Sequence, residues 1–182
     1  MMTEEEAKKD FSDPLRRLAN NHYAMEKARE RLRVAIEAKD NKEIYTAIGE
    51  LLLWVLTTEE WHWNHDKPFK KRRNIDDRGQ LLFGLRFAYN AMKHNMNFYE
   101  IHFGRSSGFT FPFSFPVRFA IKNILWIKAD EKFELSKEDR IFNEKSYKEQ
   151  LLNYKRYIEG KDVSITFDKA MEFLHEEYER IK

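Results

Sequence analysis

Apolar residues recur at helical spacing along most of this chain, and they divide it into long amphipathic segments. The first segment runs from Leu15 to Ala38, with Asp13 as N-cap and Pro14 at the first helical position. A second runs from Asn41 to about Asn64, and its centre, Ile48 to Leu56, is almost continuously apolar. Because a helix that is apolar on nearly every side is normally buried, the second helix is predicted to lie inside the domain or at an interface.

The second half of the chain predicts two further helices and one extended region. The helices run from Ser146 to about Glu159, and from near Thr166 to the C-terminus. The segment Gly104 to Pro116, GRSSGFTFPFSFP, contains two prolines and two glycines, which exclude a helix and predict an irregular arm laid over apolar surface. Phe119 to Lys128 alternates imperfectly between apolar and polar residues, which favours a short strand, so a short β-hairpin is expected.

The most informative pattern is a polar stripe on an otherwise apolar helix, Leu81 to Phe98. Arg86, Asn90 and His94 follow one another at four-residue steps, which places them on one face of a helix. Burying a guanidinium, an amide and an imidazole costs several kcal/mol, on the order of 2–7 per group, unless each finds a partner. The stripe therefore predicts an internal polar network, a subunit interface or a functional site.

The composition fits one domain over residues 1–182, with residues 1–12 expected to be a flexible N-terminus. Only 6 Gly and 4 Pro indicate long regular elements, so we predict a mostly α-helical bundle of about five helices. Aromatic residues make up 15% of the chain and charged residues 35%, which predicts an aromatic core beneath a charged surface. The net charge of +2 is too small to indicate nucleic-acid binding, so only a local basic cluster can.

The chain contains no cysteine, which excludes disulfides, thiol catalysis and zinc sites built on cysteine. The charged N-terminal sequence MMTEEEAKKD has no apolar signal core, and no apolar run approaches the length of a membrane span. We therefore expect a cytoplasmic protein that does not enter a membrane.

The stripe helix carries a family resemblance. The segment LRFAYNAMKHN resembles the signature helix of HEPN domains, helical bundles whose active members are metal-independent ribonucleases. Their motif is an arginine, often followed at once by Asn, Asp or His, and then a histidine some four to six residues after the arginine. Asn90 matches the polar position and His94 the histidine, whereas Tyr89 stands where the arginine is expected and Arg86 lies one turn earlier.

A narrower resemblance covers roughly Leu81 to Leu174, about half of the chain. The segments FTFPFSFPVRF and YKRYIEGKDVSITFDKAMEFL, with Trp126 between them, look like a group of bacterial proteins of unknown function. That group combines an "RYARN…H" helix with a Thr-Phe-Pro segment and a similar closing segment.

The HEPN resemblance implies a homodimer in which two such helices face each other across a shared cleft. His94 would act as general acid or base on the ribose 2′-hydroxyl, Asn90 would orient the groups, and Arg86 or Lys93 would steady the phosphate. The expected function is an RNA-cleaving or RNA-binding module of toxin–antitoxin or phage-defence type with a degenerate active site. RNA and a cognate antitoxin or regulatory protein are the expected partners, and no metal or other cofactor is implied.

A basic segment precedes the stripe helix and is the best candidate for contact with RNA. It reads KPFKKRRN and is expected to form a loop, in which Phe69 adds an aromatic ring. The basic residues are Lys67, Lys70, Lys71, Arg72 and Arg73.

Two other interpretations stay open. The chain could be a non-enzymatic interaction or regulatory protein that keeps the HEPN scaffold without the arginine of its motif. Alternatively, Glu59, His62 and His65 are spaced three residues apart at the end of the second helix and could share a face as metal ligands, although they form no HExxH pattern.

Overall fold

The computed structural model describes residues 13–94, 97–105, 119–129 and 144–182, and within these ranges it contains six helices and two strands. In chain order they are α1 (Pro14–Ala38), α2 (Asn41–His65), α3 (Phe69–Ile75), α4 (Asp77–Lys93), β1 (Tyr99–Arg105), β2 (Phe119–Trp126), α5 (Glu144–Tyr157) and α6 (Val163–Glu179). The predicted mostly α-helical bundle with a short two-stranded sheet is confirmed.

Helices α1 and α2 form an antiparallel pair whose ends are set by local side chains. The Asp13 carboxylate accepts a hydrogen bond from the Leu15 N–H at 2.9 Å and caps α1. Lys39, at φ 57°, turns the chain out of α1, and Asp40 then caps α2 by accepting from the N–H groups of Lys42 and Glu43. These caps explain why the predicted boundaries of the first two helices agree with the structure.

Helix α2 lies at the centre of the core, and α4 and α6 pack against it. Helix α5 packs closely along α4 because Gly84 has no side chain at the crossing. A Cβ atom built on Gly84 would lie 2.6 Å from the Ile158 Cδ1 and 3.0 Å from the backbone of Tyr154. The rings of Tyr154 and Phe87 pack at a 45° tilt across the same contact, with centroids 4.9 Å apart.

The two strands pair antiparallel, and the sheet is tied to the turn between α5 and α6. The Trp126 N–H donates to the Lys161 carbonyl at 3.0 Å, and the Gly160 N–H donates to the Trp126 carbonyl at 3.0 Å. Gly160 has φ +70°, which glycine adopts without steric cost, so its predicted place just past the end of α5 is confirmed. The predicted strand within Phe119 to Lys128 is confirmed as β2.

Helix α3 corrects one prediction: the basic segment that was expected to form a loop is a short helix. Phe69 is fully buried, with ring centroids 5.0 Å from His62 and 6.0 Å from Phe173. Phe69 holds the short helix against α2 and α6. The sequence did not predict this contact because the residues around Phe69 are mostly charged.

The stripe helix is also shorter than predicted. Helix α4 ends at Lys93, and His94 is its C-cap residue, whose N–H donates to the Asn90 carbonyl at 3.1 Å. The predicted helix to Phe98 is therefore too long, although His94 still bonds back to Asn90 in the helical pattern.

Smaller differences concern the ends of other elements. Helix α5 begins at Glu144, two residues before the predicted start, and α6 begins at Val163 behind the N-cap Asp162 and ends at Glu179. Most of the predicted Phe-Pro arm, residues 106–118, and the N-terminal residues 1–12 lie outside the described residues. No helix in the described part of the chain is both long and apolar enough to cross a bilayer.

Candidate functional site

A buried carboxylate shared by two arginines lies where α2, α3 and α4 meet. Arg73 Nη1 donates to Glu59 Oε1 at 2.5 Å, while Arg86 Nε donates to Oε2 at 3.1 Å and Arg86 Nη2 lies 3.0 Å from the same oxygen. The exposed fraction is 0% for Glu59, 4% for Arg73 and 32% for Arg86. The three groups, which we call the Glu59 triad, carry one excess positive charge, and only Arg86 presents it to solvent.

Aromatic rings fix the buried guanidinium of the triad. The Arg73 Cζ lies 3.9 Å from the Phe83 ring centroid and 4.3 Å from that of Trp63. Such cation–π contacts add to the ion pair where water is excluded. Burial lowers the pKa of Arg73, and the neighbouring Glu59 opposes that shift. Because the ordinary pKa of arginine is far above neutral pH, Arg73 stays charged.

Arg86 opens into a groove between α2, α3, α4 and α5. The groove consists of two adjoining cavities of about 380 and 230 Å³, which share Glu60, Arg86 and Gln150. The larger cavity, here the Trp63 chamber, also has Trp63 in its wall, and the smaller one, here the Asn90 chamber, has Asn90. Together they form the Arg86 groove, whose size is that of a small-ligand site.

A line of neutral polar groups runs along the wall of the groove. Asn90 Nδ2 donates to Gln150 Oε1 at 3.1 Å, and Gln150 Nε2 donates to the Ser146 Oγ at 3.0 Å. The hydroxyl of Ser146 accepts in this line, so its proton can still be donated to a further acceptor. The groove therefore offers a cation and neutral donors beside the exposed carboxylates of Glu60 and Glu149, so an anion binds there only where it meets Arg86 rather than these carboxylates.

The charged end of Arg86 is only partly occupied. Among the hydrogen bonds of the described residues, none uses Arg86 Nη1. Glu60 lies 3.8 Å from Arg86 Nη2, and its side chain is 63% exposed. Because an exposed ion pair at this distance is weak, Glu60 can be displaced by a ligand with a stronger negative charge.

The structure places two of the three residues of the predicted stripe in the groove. Arg86 and Asn90 line the same groove, as predicted, whereas His94 is exposed beyond the end of α4 and is not part of the wall. Eight residues of helix rise about 12 Å, which is the scale of the separation between His94 and Arg86 along α4. Lys93 is exposed, and its Nζ lies 5.8 Å from the ring centroid of Tyr89, a groove residue.

The predicted RNA-binding residues in α3, and Lys67 just before it, lie in different environments. Lys67, Lys70 and Lys71 are exposed, and Lys70 Nζ lies 4.8 Å from the Trp63 ring centroid at the groove. Arg72, by contrast, donates through Nε to Glu177 at 2.6 Å and also pairs with Asp66. Arg73 belongs to the Glu59 triad, so the lysines are the members of this set that face solvent.

The candidate metal ligands do not come together. Glu59 faces the two arginines, and His65 places Nδ1 2.8 Å from the Trp61 carbonyl on the exposed side of α2. His62 is fully buried against Phe69. In the ranges that the structure describes, no cluster of three His, Asp or Glu side chains has a geometry that could hold a metal ion.

The sequence did not identify the residues that support Arg86. Glu59 continues the buried face of α2 one turn after Val55 and Leu56, and a carboxylate in that position requires a cationic partner. The position of Glu59 on the buried face of α2 therefore predicts a cationic partner, but it does not identify which cations pair with Glu59. Trp63, Phe83 and Gln150 gave no comparable signal, since two aromatic rings and a neutral amide require no charged partner when they are partly buried.

No family model, curated protein or solved structure matches this chain. The class of the protein must therefore be inferred from the helical bundle, the Arg86 groove and the sequence of α4.

Proposed function

We propose that this protein is a HEPN-like, RNA-binding module that acts in the cytoplasm and holds RNA phosphate in the Arg86 groove. The observation that carries the proposal is the Glu59 triad, whose excess positive charge reaches solvent only at Arg86. A guanidinium held in place by a buried carboxylate is already oriented, so little side-chain entropy is lost when a phosphate binds. The resemblance of α4 to the HEPN signature helix selects RNA as the source of that phosphate.

Neighbouring groups support RNA rather than an isolated anion. The exposed Lys67, Lys70 and Lys71 lie on or beside α3 and extend positive charge away from the groove. Trp63 is 41% exposed, and displacement of the exposed Lys70 side chain from its ring would let an unpaired base stack there. These groups suit single-stranded RNA, whose bases and phosphates are both accessible.

Replacing Arg86 with glutamine should weaken the binding of a short single-stranded RNA by about tenfold, because one charge-assisted phosphate contact is lost. The slope of log affinity against log salt concentration should fall by about one for the same reason. Fluorescence anisotropy with a labelled RNA at several salt concentrations measures both quantities. The variant is expected to fold, since Glu59 keeps its bond to the buried Arg73.

Arg33→Gln is the matched control, since Arg33 is an exposed arginine of α1 whose partners among the described residues are its neighbours Glu30 and Glu37. It removes the same charge away from the groove and should leave affinity almost unchanged. Equal losses in the two variants would show that RNA responds to total charge and that the groove is not its site.

A second candidate function is metal-independent RNA cleavage by a homodimer. It is favoured by His94, a residue that can transfer protons near neutral pH and that is exposed at the end of the helix carrying Arg86 and Asn90. Lys93, next to Tyr89, would supply a cation near the position where the HEPN motif has its arginine. Two copies of α4 facing each other would bring His94 of one copy toward the groove of the other.

If the protein cleaves RNA, His94→Ala should lower the rate by about 10²–10⁴-fold, the usual contribution of a general acid or base. Products with 2′,3′-cyclic phosphate ends in the presence of a chelator would identify the mechanism, and mass spectrometry of the fragments reads them directly. Cleavage at the wild-type rate by the variant would remove His94 from the mechanism. If the wild type binds RNA without cutting it, the non-enzymatic interpretation holds, and a regulatory protein or antitoxin becomes the partner to identify.

A further inference from the structure

We propose that the free edge of β1 pairs antiparallel with β1 of a second copy of this chain, so that two small sheets join into one of four strands. The pairing is centred on Ile101 and places Glu100 of each copy opposite His102 of the other. This interface goes beyond the proposed function, because it needs no RNA and differs from a contact between two α4 helices.

The edge of β1 that faces away from β2 is open. Within the described ranges the sheet has two strands, and no main-chain hydrogen bond is made along that edge. Successive residues of an antiparallel strand point their N–H and C=O groups alternately toward and away from the paired strand. The Phe98 carbonyl points toward β2, where it accepts a hydrogen bond from the Ile127 N–H at 3.2 Å. By this alternation Tyr99, Ile101 and Phe103 direct their main-chain groups to the open edge.

The outer edge of β2 is occupied at its end, in contrast. The Trp126 N–H and C=O bond to Lys161 and Gly160, and Leu125 forms a bridge with Asp162. The open edge of β1 is thus the one that can accept a second copy over its length. Because each copy uses this edge for the other, the contact is a closed two-fold one that does not extend into a fibre.

Charge selects the register of the pairing. A two-fold antiparallel pair is centred on one residue, which lies opposite its own counterpart. A centre on Glu100 or on His102 places two like groups opposite each other, whereas a centre on Ile101 pairs the carboxylate with the imidazole twice. These pairs fall at the positions without main-chain hydrogen bonds, where side chains are closest. Within one copy His102 Nε2 lies 3.4 Å from Glu100 Oε2, so both exposed groups already share a face.

The other face of β1 carries an apolar row that a second copy would extend. Tyr99 and Ile101 are half-buried and pack against the core, whereas Phe103, further along the same face, is 56% exposed. The helices of one copy therefore leave Phe103 uncovered. The register centred on Ile101 places Tyr99 of the second copy opposite it, and an aromatic cross-strand pair of this kind stabilises a sheet.

Sedimentation velocity of the full chain over a range of concentrations tests the interface. The mass should double as the concentration rises, with half-association at roughly tens of micromolar, because a contact between two short strands is small. At the low micromolar concentrations suited to unfolding experiments the protein is then a monomer.

Ile101→Pro should abolish this association while leaving the β1–β2 ladder intact. It removes the edge-facing N–H at the centre of the interface in both copies, and proline is tolerated where the N–H of an edge strand faces solvent. Ile101→Val keeps that N–H and is the matched control, which should associate like the wild type. Circular dichroism checks that both variants are folded.

An exchange of charges tests the register. His102→Glu should raise the dissociation constant of the dimer by about tenfold, because two pairs of like charges form across the interface. Adding Glu100→Lys should restore association, since each lysine then faces a glutamate of the other copy. Asn20→Glu, which adds a carboxylate to the exposed surface of α1, is the control and should change nothing.

Three results would overturn the proposal. A monomer at every concentration excludes the interface, and association that Ile101→Pro leaves unchanged assigns the contact to another surface, such as α4. Loss of association in His102→Glu that Glu100→Lys does not restore contradicts the register. None of these results bears on RNA binding, which Arg86→Gln tests separately.

Discussion

Replacement of Glu59 with glutamine should lower the free energy of unfolding by about 3–5 kcal/mol, the usual cost of leaving a buried charge without its partner. Arg73 is 4% exposed, and its only carboxylate partner among the described residues is Glu59. The glutamine keeps the shape of the side chain but cannot balance the guanidinium. Thermal and urea denaturation monitored by circular dichroism measure the loss, and the melting temperature should fall by roughly 10 °C.

A second substitution separates the lost charge balance from a simple packing defect. Adding Arg73→Met to Glu59→Gln removes the stranded charge and places a flexible apolar side chain between Trp63 and Phe83, so most of the stability should return. Glu30→Gln, on the exposed surface of α1, is the control. If Glu59→Gln costs no more than this control, the carboxylate is not the buried anchor of the site.

Acidification should destabilise the protein through His62. Its side chain is 0% exposed, and burial lowers its pKa to about 4, with a smaller contribution from the nearby His22. Since the unfolded state has the ordinary pKa near 6.5, it binds a proton first as the pH falls. This contribution to stability is complete above pH 6.5 and is lost between about pH 6.5 and 4, an amount of about 3 kcal/mol.

The pH effect is measured as the free energy of unfolding in urea at a series of pH values. In His62→Leu the stability should vary less with pH across that interval, because no imidazole remains to be protonated. His102→Leu changes an exposed histidine on β1 that does not act on His62, and should keep the wild-type profile. Identical profiles for the wild type and His62→Leu would contradict the buried, neutral state of His62.

The sequence predicted the long helices because their caps and apolar spacing are local. Asp13 and Asp40 bond to N–H groups two or three residues away, so the residues that fix these helix starts are neighbours in the chain. The strand β2 was also predicted from a local pattern. The bounds of its partner β1 were not predicted. The sequence supplied only the expectation of a short hairpin, because strand pairing depends on residues far apart in sequence.

Tertiary contacts decided the elements that the sequence predicted wrongly. Helix α3 is stabilised by the burial of Phe69 against α2 and α6, and this contact cannot be inferred from a run of lysines and arginines. Helix α4 ends at Lys93 rather than at Phe98, so the apolar pattern that predicted the longer helix extended beyond the real one.

The site was predicted in part. Arg86 and Asn90 were expected on one face because their spacing is helical, and both line the groove. Their support comes from Glu59, which lies 27 residues before Arg86, and from Gln150, which lies 60 residues after Asn90. No periodic pattern links positions so far apart, which is why Glu59 was considered as a metal ligand instead of as the partner of two arginines.

The central claim, that Arg86 in its groove meets the phosphate of an RNA, can be tested at the guanidinium itself. In a sample with ¹⁵N-labelled arginine, the Nε–H resonance of Arg86, assigned by its absence in Arg86→Lys, should shift as single-stranded RNA is added. The resonance of Arg33 on α1 should stay in place. An Arg86 signal that does not move at saturating RNA would contradict the claim.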